Sequence, residues 1–78
     1  MSNPSSLSPS LKKHYEDQLK KFQDALEETK KALRDAKKAL KTAEPEHRKY
    51  WEDEVSSSKE MIEYNEEEIA AYQRLLGQ

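Results

Sequence analysis

The sequence has no cysteine, a single glycine and no long run of apolar residues. Without cysteine, neither disulfide bonds nor thiolate metal sites can form. The one glycine, Gly77, lies next to the C-terminus, which leaves no glycine-rich loop to hold a phosphate group. No segment approaches the ~20 consecutive apolar residues of a membrane-spanning helix. The sequence also starts without the basic and apolar segments of a secretory signal peptide, so we expect a cytoplasmic protein.

Apolar residues are scarce throughout, at 33% of the 78 residues, whereas charged residues make up 38%. Ordinary globular domains are about 45–50% apolar, so this chain cannot fill a core several layers thick. A stable fold therefore requires a thin structure in which the apolar residues lie along a narrow line.

Proline occurs three times, and Pro9 and Pro45 each precede a long segment without glycine or proline. Residues with high helix propensity dominate the first of these segments. Proline fits the first turn of a helix and disrupts its interior, and Ser8 can cap a helix that begins at Pro9. We therefore predict an N-terminal arm followed by a helical hairpin over 9–78, with these bounds: flexible arm 1–8, first helix about 9–43, turn about 44–45, second helix about 45–76.

An apolar repeat of seven residues, in alternating steps of three and four, runs through both predicted helices. This spacing puts a narrow stripe along each helix and winds the two helices around each other. Because the break between them is short, we predict an all-α, antiparallel coiled-coil hairpin. The two stripes form the predicted seam, which comprises Leu19, Phe22, Leu26, Thr29, Leu33, Ala36, Leu40 and Ala43, and then Trp51, Val55, Ser58, Ile62, Asn65, Ile69, Tyr72 and Leu76.

The seam predicts a register in which small residues meet larger ones across the hairpin, as a core of constant density requires. A shift of one heptad is the rival register. The facing positions include Leu40/Trp51, Leu33/Ser58, Leu26/Asn65 and Leu19/Tyr72.

Three polar residues, Thr29, Ser58 and Asn65, occupy the middle of the seam. Apolar residues would hold the helices together more tightly, and a buried Asn commonly fixes register at a cost in stability. We expect a lone hairpin with this seam to be marginally stable, which favours a partner.

A second, weaker apolar stripe lies beside the seam on both helices, and Leu11 and Ser57 continue it. A stripe three positions wide per heptad is typical of a helix that packs against more than one neighbour. We predict that this stripe is a protein interface, through which the hairpin dimerises into a four-helix bundle or binds a helix of another protein. We call this stripe the flank, and it consists of Ala25, Ala32, Ala39, Tyr50, Met61, Tyr64, Ala71 and Leu75.

Charge is divided unevenly along the chain. Residues 11–43 carry ten Lys/Arg and six Asp/Glu, a net +4, whereas residues 44–78 carry four and ten, a net −6. Helices of opposite charge attract, although an exposed ion pair contributes only about 0.3–0.5 kcal/mol. We expect the asymmetry to reflect pairing of the two helices.

Four basic residues of the first helix align at helical spacing, and they could contact phosphate groups. Acidic residues are interspersed among the lysines and no aromatic residue interleaves with them, so nucleic-acid binding is the less favoured alternative. We call this line the basic ridge, which consists of Lys30, Arg34, Lys37 and Lys41.

No set of residues predicts catalysis, a cofactor or a metal site. His14 and His47 lie near opposite ends of the predicted hairpin. Glu44 and His47 match the Glu-x-x-His of di-iron bundles, but at a helix tip rather than inside a bundle. The acidic run 66–68 has no concave pocket in which two carboxylates acquire separated pKa values. We therefore expect a protein that is not an enzyme.

The outline is two amphipathic helices in fewer than 80 residues, with the aromatic Trp51 near the start of the second. It resembles the small helical-hairpin chaperones of secretion systems, and equally adaptors, phage-encoded inhibitors and designed hairpins. We expect Trp51 to close the end of the core or to anchor a partner, and Tyr64, off the seam, to contact a partner. The sequence therefore favours a protein-binding module, with a purely structural, self-assembling hairpin as the alternative.

Overall fold

The computed structural model describes residues 7–78, which form two long helices packed against each other as a hairpin. Helix α1 spans Pro9–Thr42 and helix α2 spans Pro45–Leu75. The hairpin is a thin rod of 59 × 17 × 14 Å. Residues 1–6 of the predicted arm lie outside the described residues.

The start of α1 follows from its capping residue. The Ser8 side-chain oxygen accepts a hydrogen bond from the backbone N–H of Leu11 at 3.2 Å, and Pro9 occupies the first helical position. Because the first backbone N–H groups of a helix have no partner inside it, this bond satisfies one of them. Ser8 thus belongs to the hairpin rather than to the arm.

The helices are separated by a two-residue connector, Ala43 and Glu44, whose backbone is extended, with ψ values of 141° and 154°. Pro45 cannot donate a backbone hydrogen bond to a preceding turn, so the first helix stops before it and the second begins at it. Helix α1 therefore ends one residue earlier than the bound of 43 predicted from the sequence.

The end of α2 is marked by Gly77, which has a positive φ of 76°. Its backbone N–H donates to the carbonyl of Arg74 at 3.0 Å. A glycine in this conformation closes a helix without a steric penalty. Helix α2 thus ends at Leu75, one residue before the predicted bound.

Every residue of the predicted seam is buried or half-buried. The most buried are Leu19, Ala36, Ser58 and Asn65, with exposed fractions of 8%, 3%, 7% and 3%. No side chain among residues 7–78 has an exposed fraction below 2%, because in a two-helix hairpin each residue is covered by one neighbouring helix only. The hydrophobic core is therefore a single line of contacts along the rod.

The aromatic contacts of Tyr72 report the register of the helices. Its ring stacks on Phe22 at a centroid distance of 5.9 Å and lies 5.9 Å from the ring of Tyr15. These two residues flank Leu19 at three and four positions, so Tyr72 lies across from Leu19. The contacts agree with the register predicted from the seam rather than with a shift of one heptad.

Two of the three polar residues of the seam, Thr29 and Asn65, form a hydrogen bond with each other. The Asn65 Nδ2 group donates to the Thr29 hydroxyl at 3.4 Å, and that hydroxyl donates to the carbonyl of Ala25 at 2.8 Å. Within residues 7–78, no buried side-chain nitrogen or oxygen is left without a partner. Since an unpaired buried polar group is costly, this arrangement ties Asn65 to one position along α1.

The oppositely charged helices pack against each other, but within residues 7–78 no direct ion pair joins them. In the described part of the chain, each salt bridge links residues four apart in one helix, and the side chains involved are 51–82% exposed. Because these side chains are largely exposed, each pairs with the opposite charge one turn away on the same helix. The four pairs are Lys13–Asp17, Lys20–Asp24, Arg48–Glu52 and Lys49–Asp53.

Within residues 7–78, neither helix is long and apolar enough to cross a membrane.

Candidate functional site

The flank lies beside the seam on one long face of the rod. On α1 its side chains are small, because Ala25, Ala32 and Ala39 carry only a methyl group. On α2 they are mostly large. The exposed fractions of the large flank residues are high, at 58% for Tyr50, 50% for Met61, 48% for Tyr64 and 46% for Leu75.

The three flank alanines and Ala71 differ in exposure. Ala32 is exposed, whereas Ala25, Ala39 and Ala71 are half-buried against the neighbouring helix. The flank is therefore a surface of large α2 side chains beside a lower strip of α1 methyl groups.

An open groove of about 370 Å³ runs over the middle of the flank. It forms where small side chains from the two helices meet, since Ala32, Ser57 and Ser58 leave room that larger residues would fill. Met61 forms one wall, and the carboxylate-bearing Glu28 stands at the edge. The groove brings Ala32 and Met61 together, as the predicted register requires. Its lining residues are Glu28, Thr29, Ala32, Ser57, Ser58 and Met61.

Tyr64 bridges the flank and the seam. Its ring contacts Phe22 of α1 edge-on, with 6.0 Å between ring centroids, although 48% of the residue is exposed. The negative charge of Glu68, one turn further along α2, raises the pKa of the Tyr64 hydroxyl. Tyr64 therefore covers the core with its ring while it presents its polar end to solvent.

Sequence reasoning placed Tyr64 on the flank but did not identify either of these neighbours. The spacing of four between Tyr64 and Glu68 was a signal for their proximity, because residues i and i+4 adjoin on a helix. The contact with Phe22 had no comparable signal, since the register pairs Phe22 with Ile69.

Aromatic and aliphatic side chains extend the exposed surface to both ends of the rod. Near the connector, Tyr50 packs edge-on against Trp51 at 4.8 Å, and Trp51 is itself half-buried at the end of the core. At the opposite end, Leu75 and Leu11 are 46% and 39% exposed. Exposed apolar side chains therefore occur at both ends of the hairpin as well as in its middle.

The basic ridge is separate from the flank, on the other side of α1 by helical spacing. Arg34, Lys37 and Lys41 are exposed and Lys30 is half-buried. None of the salt bridges found among residues 7–78 involves these four side chains. The ridge is thus a line of cations without a direct carboxylate partner in the hairpin.

The residues considered for metal binding do not converge. Among residues 7–78, no group of three or more His, Cys, Asp or Glu side chains is arranged to hold a metal ion. His14 and His47 are both exposed. The contact between His47 and Glu44 is a backbone hydrogen bond of 2.8 Å in the first turn of α2, and it does not involve either side chain.

Comparison with known proteins adds no further information about this surface. No protein-family model, curated protein or solved structure matches the chain.

Proposed function

We propose that this protein is a non-enzymatic interaction module that engages helices through the flank. The observation that carries the proposal is the row of five large apolar side chains exposed along residues 7–78, namely Leu11, Tyr50, Met61, Tyr64 and Leu75. Soluble monomers rarely expose a large contiguous apolar patch, and such patches usually mark interaction surfaces. The partner is a helix of another protein, a second copy of the hairpin, or each in turn.

The shape of the flank supports a helix as the partner. Two helices packed side by side in a hairpin leave a long furrow between them, and a third helix fits such a furrow by packing its side chains into it. The groove at Ala32 would accept one side chain of the incoming helix. Met61 adapts to irregular shapes and Tyr64 offers an apolar ring with a polar end, both of which suit an interface.

The chemistry of the flank supports a binding role over catalysis. The groove is open and lined mainly by small apolar and hydroxyl side chains. General acid–base catalysis requires two titratable groups with separated pKa values beside an enclosed site. An adaptor, chaperone or inhibitor needs only the surface itself.

The proposal is tested by a matched pair of double variants. Met61→Glu with Tyr64→Glu places two charges on the flank, whereas Gln23→Glu with Ser56→Glu adds the same charges to exposed positions on the opposite face. Proteins retained by immobilised wild-type hairpin from its native host extract should be lost with the flank variant and kept with the control. Identical retention by both variants, together with identical sedimentation, would exclude the flank as an interaction surface.

A purely structural hairpin that assembles only with itself is a second candidate, supported by the same flank. It predicts self-association that depends on Met61 and Tyr64, with no other protein retained in a flank-dependent manner.

Nucleic-acid binding through the basic ridge is a third candidate, because these cations lack direct partners in the hairpin. It predicts retention on heparin at low salt and an affinity that falls steeply with salt concentration. Failure to bind heparin at low salt would remove this candidate.

A further inference from the structure

We propose that a second copy of the hairpin covers the flank, with both connectors at the same end of a four-helix bundle. This inference rests on the proposed function, because it names the partner of the same surface. It specifies a geometry that the presence of an apolar surface alone does not determine.

Two symmetric arrangements bring the flanks of two copies face to face. In the same-end arrangement, the twofold axis runs along the rod, the connectors lie together, and α1 of each copy packs on α2 of the partner. In the opposite-end arrangement, the twofold axis crosses the rod, the connectors lie far apart, and each helix packs on its own counterpart.

The volumes of the flank side chains favour the same-end arrangement. Residues at the same height along the rod then meet across the interface. Met61 and Ala32 of one hairpin line the same groove and so lie at the same height, which means that Met61 of one copy faces the partner's Ala32. By the same register, Tyr64 faces the region of the partner's Ala25. At these two positions large side chains thus meet small ones, as dense packing requires. The opposite-end arrangement would stack methyl groups on methyl groups and leave gaps.

The charges on α2 favour the same arrangement. Glu54 and Glu68 lie beside the flank on α2 and are half-buried already. Packing α2 on the partner's α2 would bring the carboxylates of both copies together, and like charges at an interface are strongly unfavourable. Packing α2 on α1 places them instead beside the alanine strip of the partner, with Glu28 as the carboxylate at the edge of that strip.

The net charges of whole helices act in the same direction. Helix α1 has ten Lys/Arg and six Asp/Glu, a net +4, and α2 has four and nine, a net −5. The same-end arrangement surrounds each helix with neighbours of the opposite net charge. The expected attraction between basic and acidic helices would then also act between copies.

The size of the face is sufficient for a dimer. A rod 59 Å long and 17 Å wide offers a face of roughly 1,000 Å², comparable with the ~800 Å² per partner of a typical specific interface. Assembly would also stabilise a hairpin whose seam is partly polar, because contacts between the two flanks add a second apolar layer to the single line of core contacts.

The arrangement is tested by measuring the distance between the connectors of two copies. The chain has no cysteine, so Glu44→Cys introduces a single site for a spin label on the connector. Glu44 is exposed, and its side chain makes no capping hydrogen bond, so the substitution spares the fold. Pulsed dipolar spectroscopy then reports the distance between the two labels.

The same-end arrangement predicts labels roughly 20 Å apart, since packed helix axes are ~8–10 Å apart and each label adds length. The opposite-end arrangement predicts a separation approaching the 59 Å length of the rod. Adding Met61→Glu and Tyr64→Glu to the labelled chain should abolish the short distance, whereas adding Gln23→Glu and Ser56→Glu should preserve it.

Each outcome separates this inference from the proposed function. A long distance overturns the same-end arrangement but leaves the flank as the interface. Absence of any dipolar signal overturns the second copy as partner, while flank-dependent retention of another protein would still uphold the proposed function. A short distance that survives the two flank substitutions shows that the copies meet through another surface, which overturns this inference and leaves the proposed function to the retention experiment.

Discussion

At the scale of single residues, the hydrogen bond between Asn65 and Thr29 is the clearest device for fixing register. The Asn65 amide donates to the Thr29 hydroxyl across the helices at 3.4 Å, and only 3% of Asn65 is exposed. The seam predicted that Asn65 is buried and that it faces Leu26. The bond instead reaches the next seam residue, because hydrogen-bond geometry rather than apolar periodicity decides which neighbour an amide selects.

Replacing Asn65 with Leu should stabilise the hairpin. The free energy of unfolding is expected to rise by about 1 kcal/mol, because a long hydrogen bond is exchanged for apolar contact. The Thr29 hydroxyl keeps its bond to the carbonyl of Ala25. Urea denaturation followed by circular dichroism measures the change, and a loss of stability of similar size would show that the hydrogen bond contributes more than burial.

The hydroxyl of Tyr64 provides a test of the flank electrostatics. The charge of Glu68 raises the pKa of this hydroxyl, so Glu68→Gln should lower it towards the ordinary tyrosine value. Ring-carbon NMR shifts of each tyrosine, followed against pH, resolve Tyr64 from the other three. Glu67→Gln, one residue away, serves as a control; an equal effect in the two variants would refute the specific pairing.

The pH dependence of stability has a definite sign. Because the folded state holds the Tyr64 proton more tightly than the unfolded state does, its contribution is present below the ordinary pKa of tyrosine. That contribution is lost as the pH rises through the raised pKa of the folded state. The Glu68→Gln variant should therefore lose less stability than the wild type over this alkaline range.

At the scale of helices, local signals predicted the elements well. Ser8, Pro9 and Pro45 each have a backbone role that holds almost independently of tertiary context, so both helices begin at the predicted residues, and each ends one residue before its predicted bound. Within residues 7–78, the opposite net charges of the two helices are not matched by direct ion pairs between them. Exposed lysines pair with carboxylates one turn away on the same helix, because the carboxylates of the other helix lie across a seam of mainly apolar side chains.

The cap of α1 offers a test at this scale. Ser8→Ala removes the acceptor for the Leu11 N–H and should destabilise the hairpin by about 1 kcal/mol, the usual effect of losing a capping side chain. Ser10→Ala, two residues into the helix and also exposed, is the matched control and should have a small effect. Thermal unfolding monitored by circular dichroism compares the two, and equal changes would contradict a capping role for Ser8.

At the scale of the whole molecule, the two long faces of the rod differ in chemistry. One bears the flank, and the other is polar and carries the basic ridge. The periodicity of the sequence predicted the flank, because a stripe wider than the seam is readable from residue spacing alone. The partner that covers the flank was not predictable in the same way, because residue spacing indicates which face of a helix is apolar but not which chain packs on that face.

Sedimentation velocity of three chains tests the central claim, that the flank is an interface, most directly. The wild type and the Gln23→Glu/Ser56→Glu control should sediment with about twice the 9.1 kDa mass of one chain. The Met61→Glu/Tyr64→Glu variant should remain helical and sediment as a single chain. An assembly of unchanged mass in that variant would contradict the account, because the surface left exposed by the hairpin would then have no part in holding the copies together.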